Sequence, residues 1–295
     1  MKRQSNLPFT SRYLITEKFK LHYIQKGSGD PLILLHGGGT WLYSFRHNIA
    51  SLSRNFSVYA LDMPGHGYTE PLETRVDYNF DIICNSLTEF MDKMNIKKAH
   101  MAGHSWGGGW AVCFADRHSM RVDKLILIDS SGINHHERLM WEMMKYPVIG
   151  EIMLWFRSRN AIKKGLCACY YNTALVSSDM VDLIYTPLCK PHIRKAQLSY
   201  SRNINWKETE AALSRIQSPT LVIWGKQDRY IHVKFAKRIQ RKIPDARLVT
   251  IDNCGHSAHE ECPEVVNSLI LKFIEGKEPG ENEPALRQAR VSSIK

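Results

Sequence analysis

Gly103-His104-Ser105-Trp106-Gly107 separates a short apolar run, residues 99–102, from a stretch with a helical pattern. A sharp turn that joins a strand to a helix strains the backbone at the turn and crowds the residues on either side of it. Glycine at positions 103 and 107 removes that crowding because it has no Cβ. The turn raises the Ser105 hydroxyl to a helix N-terminus, where backbone N–H groups favour a developing negative charge. Ser105 is therefore a candidate nucleophile.

The segments around this turn alternate between apolar runs and helical patterns. Apolar runs without polar alternation, typical of strands buried on both faces, occur at residues 32–35, 58–61, 99–102, 125–128, 220–224 and 247–251. Strands alternating with helices predict an α/β fold with a mostly parallel central sheet and helices on both faces. Residues 12–15 and 20–25 alternate in β fashion and predict an opening hairpin.

The alternation stops between about residues 133 and 213, where the pattern is helical and rich in Met, Trp and Tyr. Helices inserted there would cover the carboxyl edge of the sheet, where open α/β sheets bind ligands. The sequence thus predicts a core of residues 1–132 and 214–275, a helical cap of residues 133–213 and a disordered polar tail of residues 276–295. Trp141, Met144 and Trp155 are candidate substrate-pocket residues of the cap.

Composition and charge limit the classes of partner. The chain has 295 residues, 43% of them apolar, and a formal net charge of +11. Its basic residues are spread along the chain without a recognisable nucleic-acid-binding module, so nucleic-acid binding is not predicted. The densest basic stretch, with Arg157, Arg159, Lys163 and Lys164, follows apolar residues and leaves a weak contact with a membrane surface open.

The sequence predicts a soluble cytoplasmic protein without stable membrane insertion. Neither a signal-peptide pattern nor an apolar run of membrane-spanning length is found. Seven cysteines without a repeating spacing fit reduced thiols. Cys167 and Cys169 are too close together for a zinc-type pair, so no metal site is predicted. The oligomeric state stays open.

Several motifs in a fixed order resemble the α/β-hydrolase superfamily, specifically serine hydrolases with a helical cap. The resemblance covers residues 11–275, less strongly through the cap. Besides the turn at Ser105, it rests on Leu35-His36-Gly37-Gly38-Gly39, Asp62-Met63-Pro64-Gly65-His66-Gly67, Gly225-Lys226-Gln227-Asp228 and Asn253-Cys254-Gly255-His256. Members of this superfamily present nucleophile, acid and histidine in that chain order.

The resemblance implies a catalytic triad. Ser105 would be the nucleophile and His256 the base that takes its proton. Asp228 would hold the imidazole tautomer and stabilise the imidazolium. Asp129 is the alternative acid, because it ends the strand at residues 125–128, where some members of the superfamily keep theirs. His259 is interpreted as structural or cap-facing, since a third metal ligand is missing.

The resemblance also implies an oxyanion hole. Its donors would be the backbone N–H of Trp106, just past the nucleophile, and that of Gly38. Glycines in that loop let the backbone approach a ligand closely. The segment from Asp62 to Gly67 is assigned a structural role, and His104 and His66 are candidates for lining the pocket.

The proteins with this resemblance differ in chemistry. Haloalkane dehalogenases and epoxide hydrolases carry aspartate at the turn, whereas serine implies an acyl-enzyme. We therefore expect a hydrolase, free of cofactors, that cleaves a small to medium hydrophobic carboxylic ester. A lactonase or another acyl hydrolase is an alternative, as is a C–C bond hydrolase, although those commonly carry Trp directly after the histidine, where this chain has Ser257. A hydrolase-like ligand receptor is the non-enzymatic alternative.

Overall fold

The structure, a computed structural model, describes residues 9–134, 139–277 and 289–292. Its strands are β1 (Arg12–Ile15), β2 (Phe19–Lys26), β3 (Pro31–Leu35), β4 (Ser57–Leu61), β5 (Glu70–Pro71), β6 (Ala99–His104), β7 (Val122–Ile128), β8 (Thr220–Gly225), β9 (Ala246–Ile251) and β10 (Ala289–Ser292). Its α-helices are α1 (Ile49–Leu52), α2 (Phe80–Lys93), α3 (Trp106–Arg117), α4 (Leu139–Met144), α5 (Ile149–Trp155), α6 (Arg159–Cys169), α7 (Ser178–Leu188), α8 (Pro191–Asn203), α9 (Trp206–Ala212), α10 (Lys234–Lys242), α11 (Ala258–Glu261) and α12 (Pro263–Glu275).

All the described strands form one sheet. Its order is β1-β2-β4-β3-β6-β7-β8-β9-β10, and β5 pairs with β2. Strands β4, β3, β6, β7, β8 and β9 are neighbours in this order and pair in parallel. Strands β1, β2, β5 and β10 form the antiparallel pairs at the two ends of the sheet. The prediction of a mostly parallel α/β sheet is confirmed, and each predicted core strand lies within one of these elements.

Helices cover both faces of the sheet because the side chains of each strand point alternately to the two sides. In β3, Ile33 and Leu35 pack into one apolar cluster with α2 and α3. The intervening Leu32 and Leu34 pack into a second cluster with α1 and α12. Every one of these four side chains is fully buried. Strands buried on both faces explain why the sequence shows continuous apolar runs there.

The six helices α4 to α9 lie between β7 and β8, in the stretch where the cap is predicted. Residues 135–138 of that stretch lie outside the described residues. Helix α9 packs against the core helix α3, since a Cβ at Gly109 would lie 2.3 Å from the ring of Trp206. The segment predicted as the cap, residues 133–213, thus ends with a helix, α9, that packs against the core.

One part of the predicted disordered tail is ordered. Residues Ala289–Ser292 form β10, which pairs antiparallel with β9, so the prediction of disorder is wrong for these four residues. The physical reason is that β9 would otherwise leave a row of backbone N–H and C=O groups unpaired at the sheet edge. Residues 278–288 and 293–295 of the predicted tail lie outside the described residues.

Within the described chain, no helix is both long and apolar enough to span a bilayer.

Candidate active site

Ser105 occupies a strained turn between β6 and α3. Its φ of 50° and ψ of −120° lie outside the regions that side-chain-bearing residues normally adopt. A Cβ at Gly103 would lie 2.3 Å from the carbonyl oxygen of Gly107, and a Cβ at Gly107 would lie 2.1 Å from that of Leu35. Both distances are far below van der Waals contact, so the two glycines are required for the turn, as the sequence pattern indicates.

A chain of hydrogen bonds joins Ser105, His256 and Asp228. The distance from Nε2 of His256 to Oγ of Ser105 is 3.0 Å, and that from Nδ1 of His256 to Oδ2 of Asp228 is 2.8 Å. All three residues are buried, with at most 5% of their surface exposed. The arrangement fits a neutral imidazole whose Nδ1–H donates to the carboxylate while Nε2 accepts from the hydroxyl.

Asp228 is held in place by the chain that follows it. Its Oδ1 accepts hydrogen bonds from the backbone N–H groups of Tyr230, at 2.6 Å, and Ile231, at 2.8 Å. These bonds leave Oδ2 to face His256. The carboxylate therefore has a fixed orientation, which in turn fixes the imidazole ring.

Asp129, the alternative acid, makes different contacts. Its Oδ1 accepts from the N–H of Gly225 at 2.8 Å, and its Oδ2 accepts from the N–H of Ala258 at 3.0 Å. Burial, together with the nearby negative charge of Asp228, raises the pKa of Asp129 well above its usual range. The described contacts of Asp129 thus tie β8 to α11, while the hydrogen bond to His256 comes from Asp228.

The cap and the core both hold His256. Its backbone N–H donates to the carbonyl of Cys169, the last residue of α6, at 2.7 Å. The ring of Tyr230 stacks on its imidazole at a centroid distance of 4.7 Å. A Cβ at Gly255 would lie 2.6 Å from the same Cys169 carbonyl, so glycine is needed for this approach. Sequence reasoning identified neither Tyr230 nor Cys169, because a backbone contact and a stacking contact leave no motif.

Two other histidines near the hydrogen-bonded chain, His104 and His66, are buried. His104 donates from Nε2 to the carbonyl of His256 at 2.8 Å, and burial holds its pKa well below the usual range. Its ring lies 4.3 Å from that of His259, which packs against Phe45. Burial likewise lowers the pKa of His66 to about 3. Both rings pack against aromatic rings of the site region, and their assignment to the pocket lining stays a prediction.

The glycine-rich loop after β3 lies directly over the start of α3. A Cβ at Gly38 would lie 2.6 Å from the indole of Trp106. A Cβ at Gly37 would lie 3.2 Å from the Cβ of Ser105. Trp106 is the first residue of α3, so its N–H has no acceptor within the helix. The two N–H groups expected to form the oxyanion hole therefore belong to residues that touch each other beside the serine.

Asp62 connects segments on either side of this loop, in keeping with the structural role expected for its own segment. Its carboxylate accepts from the backbone N–H groups of Leu42 and Tyr68, both at 2.8 Å, and pairs with Nδ1 of His22 at 2.7 Å. Burial alone would raise the pKa of Asp62, but the interaction with His22 lowers it on balance. The buried carboxylate therefore stays charged and paired.

Two of the three predicted pocket residues lie on the inner side of the cap. The indole N–H of Trp141 donates to the hydroxyl of Tyr230, and its ring lies 4.7 Å from that of Trp106. Met144 is also fully buried. Trp155, in contrast, is 73% exposed, so its assignment to the pocket is wrong. Helix α5 turns Leu154 inward, and the next residue consequently points about 100° away from it.

The serine is covered in this structure. Two cavities are described elsewhere: one of 590 Å³ is lined partly by His47 and Asn267, and one of 240 Å³ partly by Glu17 and Glu89. Neither includes a residue of the hydrogen-bonded chain. Ser105 itself is 5% exposed. Across the described residues, no group of three or more His, Cys, Asp or Glu side chains is arranged to hold a metal ion.

The fold and this arrangement define an α/β hydrolase. A family model described as alpha/beta hydrolase fold matches residues 30–166 and 194–263, and the chain belongs to that family. The superfamily assignment and the fold class expected from the motifs are thereby confirmed.

Particular relatives and solved structures that the chain resembles are also hydrolases. The chain is 27% identical over 256 residues to the uncharacterized hydrolase YugF of Bacillus subtilis, covering 86% of this chain and 92% of that protein. It is 27% identical over 283 residues to a 2-hydroxy-6-oxononadienedioate/2-hydroxy-6-oxononatrienedioate hydrolase of Comamonas testosteroni, covering 90% and 96%. The structure of a meta-cleavage product hydrolase from Pseudomonas fluorescens matches with a TM-score of 0.80 at 25% identity, covering 92% and 99%.

Gly38→Ala tests the loop over Trp106. The added Cβ would lie 2.6 Å from the indole, so either the ring or the Gly38 N–H must shift. Loss of one oxyanion-hole donor typically costs about 10² to 10³ in kcat, and we expect a loss of that size on an ester substrate. Gly165→Ala is the matched control, because nothing lies within 4 Å of its Cβ position. A Gly38→Ala enzyme with the turnover of the wild type would contradict the assignment.

Proposed function

We propose that the chain is a serine hydrolase that cleaves small to medium hydrophobic carboxylic esters through an acyl-enzyme. The observation that carries the proposal is the hydrogen-bonded chain from Ser105 through His256 to Asp228. A serine hydroxyl is a weak nucleophile unless a base lies within hydrogen-bond reach, and His256 supplies that base at 3.0 Å. The strained turn keeps the hydroxyl in the position from which it attacks.

Acylation begins when Oγ of Ser105 attacks the ester carbonyl while its proton passes to Nε2 of His256. The negative charge on the carbonyl oxygen is stabilised by the N–H groups of Trp106 and Gly38. The C–O bond to the alcohol then breaks, and the alcohol leaves with the proton from His256. Asp228 stabilises the imidazolium between these two proton transfers.

Deacylation repeats these steps with water. His256 takes a proton from a water molecule, and the resulting hydroxide attacks the acyl carbon. The bond between Oγ and the acyl carbon then breaks, His256 returns the proton to Ser105, and the carboxylic acid leaves. Both halves of the reaction use the same groups.

The rings near the serine favour an uncharged substrate. Trp141, Tyr200 and Trp206 have ring centroids within 6.1 Å of that of Trp106. Aromatic side chains offer apolar surface but no charge to balance a carboxylate. A hydrophobic ester or lactone suits these aromatic surroundings of Trp106 better than a dianionic substrate.

C–C bond hydrolysis is the second candidate, because a relative that the chain covers almost completely is a hydrolase of 2-hydroxy-6-oxononadienedioate. The same serine, base and oxyanion donors could serve that reaction. The substrate of that relative carries two carboxylates, whereas a relative from Burkholderia cepacia hydrolyses 2-hydroxy-6-oxo-6-phenylhexa-2,4-dienoate, which carries one. The bond that is cleaved, rather than the charge of the substrate, therefore separates the two activities.

A panel of substrates tests the proposal. We expect the kcat/KM of purified enzyme to be highest for p-nitrophenyl esters of short and medium acyl chains, with lower values for palmitate. Aliphatic lactones of graded length extend the series, and 2-hydroxy-6-oxononadienedioate measures C–C cleavage. A profile that is flat with chain length, or turnover of long chains alone, would contradict the ester assignment. Faster turnover of the dienedioate than of any ester would favour the second candidate.

A further inference from the structure

An apolar ridge lies on the outer surface of the cap. We call it the cap ridge and define it by six exposed side chains of α5 and its flanking residues: Tyr146, Val148, Ile149, Ile152, Trp155 and Phe156. Trp155 and Phe156 are 73% and 76% exposed, respectively. Nearly half of the exposed large apolar side chains described in the chain belong to this ridge.

Helix α5 turns several apolar side chains to solvent, beside one acidic residue, Glu151, whose charge is paired with Arg202. Ile149, Ile152 and Trp155 follow at helical spacing and point outward, whereas Gly150 and Leu154 are the buried residues. A surface helix of a water-soluble domain usually places charged residues on its outer side. A cluster of exposed apolar side chains in one short segment is typical of a site of contact with a protein or a membrane.

Positive charge accompanies the ridge. The guanidinium of Arg194 lies 5.8 Å from the ring of Trp155. Lys163 and Lys164, on the next helix α6, are exposed, and neither forms a salt bridge to a carboxylate of the described chain. The whole chain carries a formal net charge of +11. A second copy of the chain is therefore a poor occupant, because two such surfaces repel each other, whereas an anionic surface is attracted.

We propose that the cap ridge docks onto anionic lipid surfaces. Trp155, Phe156 and Ile152 enter the boundary between headgroups and acyl chains, where aromatic and aliphatic side chains are stabilised. Arg194, Lys163 and Lys164 interact with the lipid phosphates. The contact is peripheral and reversible. It does not depend on the proposed hydrolysis, since vesicle binding is measured without a substrate.

The ridge and the site lie on opposite sides of the same layer. Helix α4, which precedes α5, directs Trp141 and Met144 inward, and Trp141 contacts both Tyr230 and Trp106. A surface that binds the outside of this layer would therefore contact α5, the helix that follows α4, whose Trp141 packs beside Trp106, the residue after Ser105. Docking would place the covered serine beneath the interface where hydrophobic esters concentrate.

The first test is cosedimentation of the full chain with vesicles. We expect binding to vesicles of phosphatidylcholine mixed with phosphatidylglycerol, and weaker binding to vesicles of phosphatidylcholine alone. The double variant Trp155→Ser/Phe156→Ser should lower the affinity for the mixed vesicles by about tenfold or more, because two exposed apolar side chains are lost from the contact. Met120→Ser is the matched control, since Met120 is 80% exposed on the core. Circular dichroism verifies that each variant is folded.

The second test separates the charge contribution from the apolar one. Lys163→Gln/Lys164→Gln should weaken binding to mixed vesicles by about tenfold or more and leave binding to phosphatidylcholine nearly unchanged. Lys97→Gln/Lys237→Gln removes the same charge from the core and should have a smaller effect, because those exposed lysines lie away from the cap.

Three results would overturn the proposal. The first is a folded chain that fails to bind the mixed vesicles. The second is a Trp155→Ser/Phe156→Ser variant that binds them as the wild type does. The third is a concentration-dependent dimer, measured by sedimentation without lipid, that the same substitutions abolish, since the ridge would then bind a second copy. Each result is independent of whether the enzyme hydrolyses esters.

Discussion

Replacing Ser105 with alanine is expected to lower kcat on a p-nitrophenyl ester by about 10⁴-fold or more. The hydroxyl that His256 contacts at 3.0 Å is the group proposed to carry the acyl chain, and alanine removes it without adding bulk. The residual rate would come from the oxyanion-hole donors and from substrate binding. Labelling of the protein by a fluorophosphonate probe should be lost at the same time.

Ser130→Ala is the matched control for this experiment. Ser130 is also a buried serine, and its hydroxyl donates to the carbonyl of Ser131 rather than to a base. Its alanine variant should be labelled by the probe and should turn over ester. If the intact protein is not labelled at all, the ligand-receptor alternative gains over the enzyme. If Ser105→Ala retains labelling, the nucleophile has been assigned wrongly.

Replacing Asp228 with asparagine is expected to lower kcat by about 10⁴-fold while the enzyme remains folded. Asparagine keeps an oxygen that can accept from the N–H groups of Tyr230 and Ile231. Its amide group then faces His256 and donates to Nδ1, which leaves the proton on Nε2. In that tautomer the imidazole donates toward Ser105 and is unable to take its proton. The loss should appear in kcat across the pH range, with the melting temperature little changed.

Asp129→Asn provides the comparison that separates the two acids. Both oxygens of Asp129 accept hydrogen bonds from backbone N–H groups. An asparagine has only one side-chain oxygen, so one of these two N–H groups would lose its acceptor. We expect a loss of about 1–3 kcal/mol in the free energy of unfolding, and a kcat within about tenfold of the wild type because Asp228 still contacts His256. A large loss of kcat in Asp129→Asn with little loss in Asp228→Asn would reverse the assignment of the acid.

Much of the core could be predicted because its rules are local. Apolar runs without alternation indicate buried parallel strands, and β3, β6 and β7 each contain the predicted run. The glycines around Ser105 are also a local requirement, since the contacts that exclude a Cβ involve residues fixed by the turn itself. The hydrogen-bonded chain combines three such local motifs, each at the carboxyl end of a strand.

What the sequence could not reveal depends on contacts between distant segments. The stacking of Tyr230 on His256 and its bond to Trp141 need the cap and the core to meet. Trp155 looked like a pocket residue because large aromatic side chains are usually buried, but the inward face of α5 is occupied by Leu154. Strand β10 was missed because its partner, the free edge of β9, exists only in the folded sheet.

The bond from the N–H of His256 to the carbonyl of Cys169 limits how this enzyme can be re-engineered. A foreign cap grafted onto the core in order to change substrate range would also replace the acceptor that anchors the main chain of His256, the proposed general base. We therefore expect a change of cap to alter both the substrate range and the position of the imidazole. A chimera that preserves a main-chain acceptor at the end of the grafted α6 equivalent retains the geometry of its base.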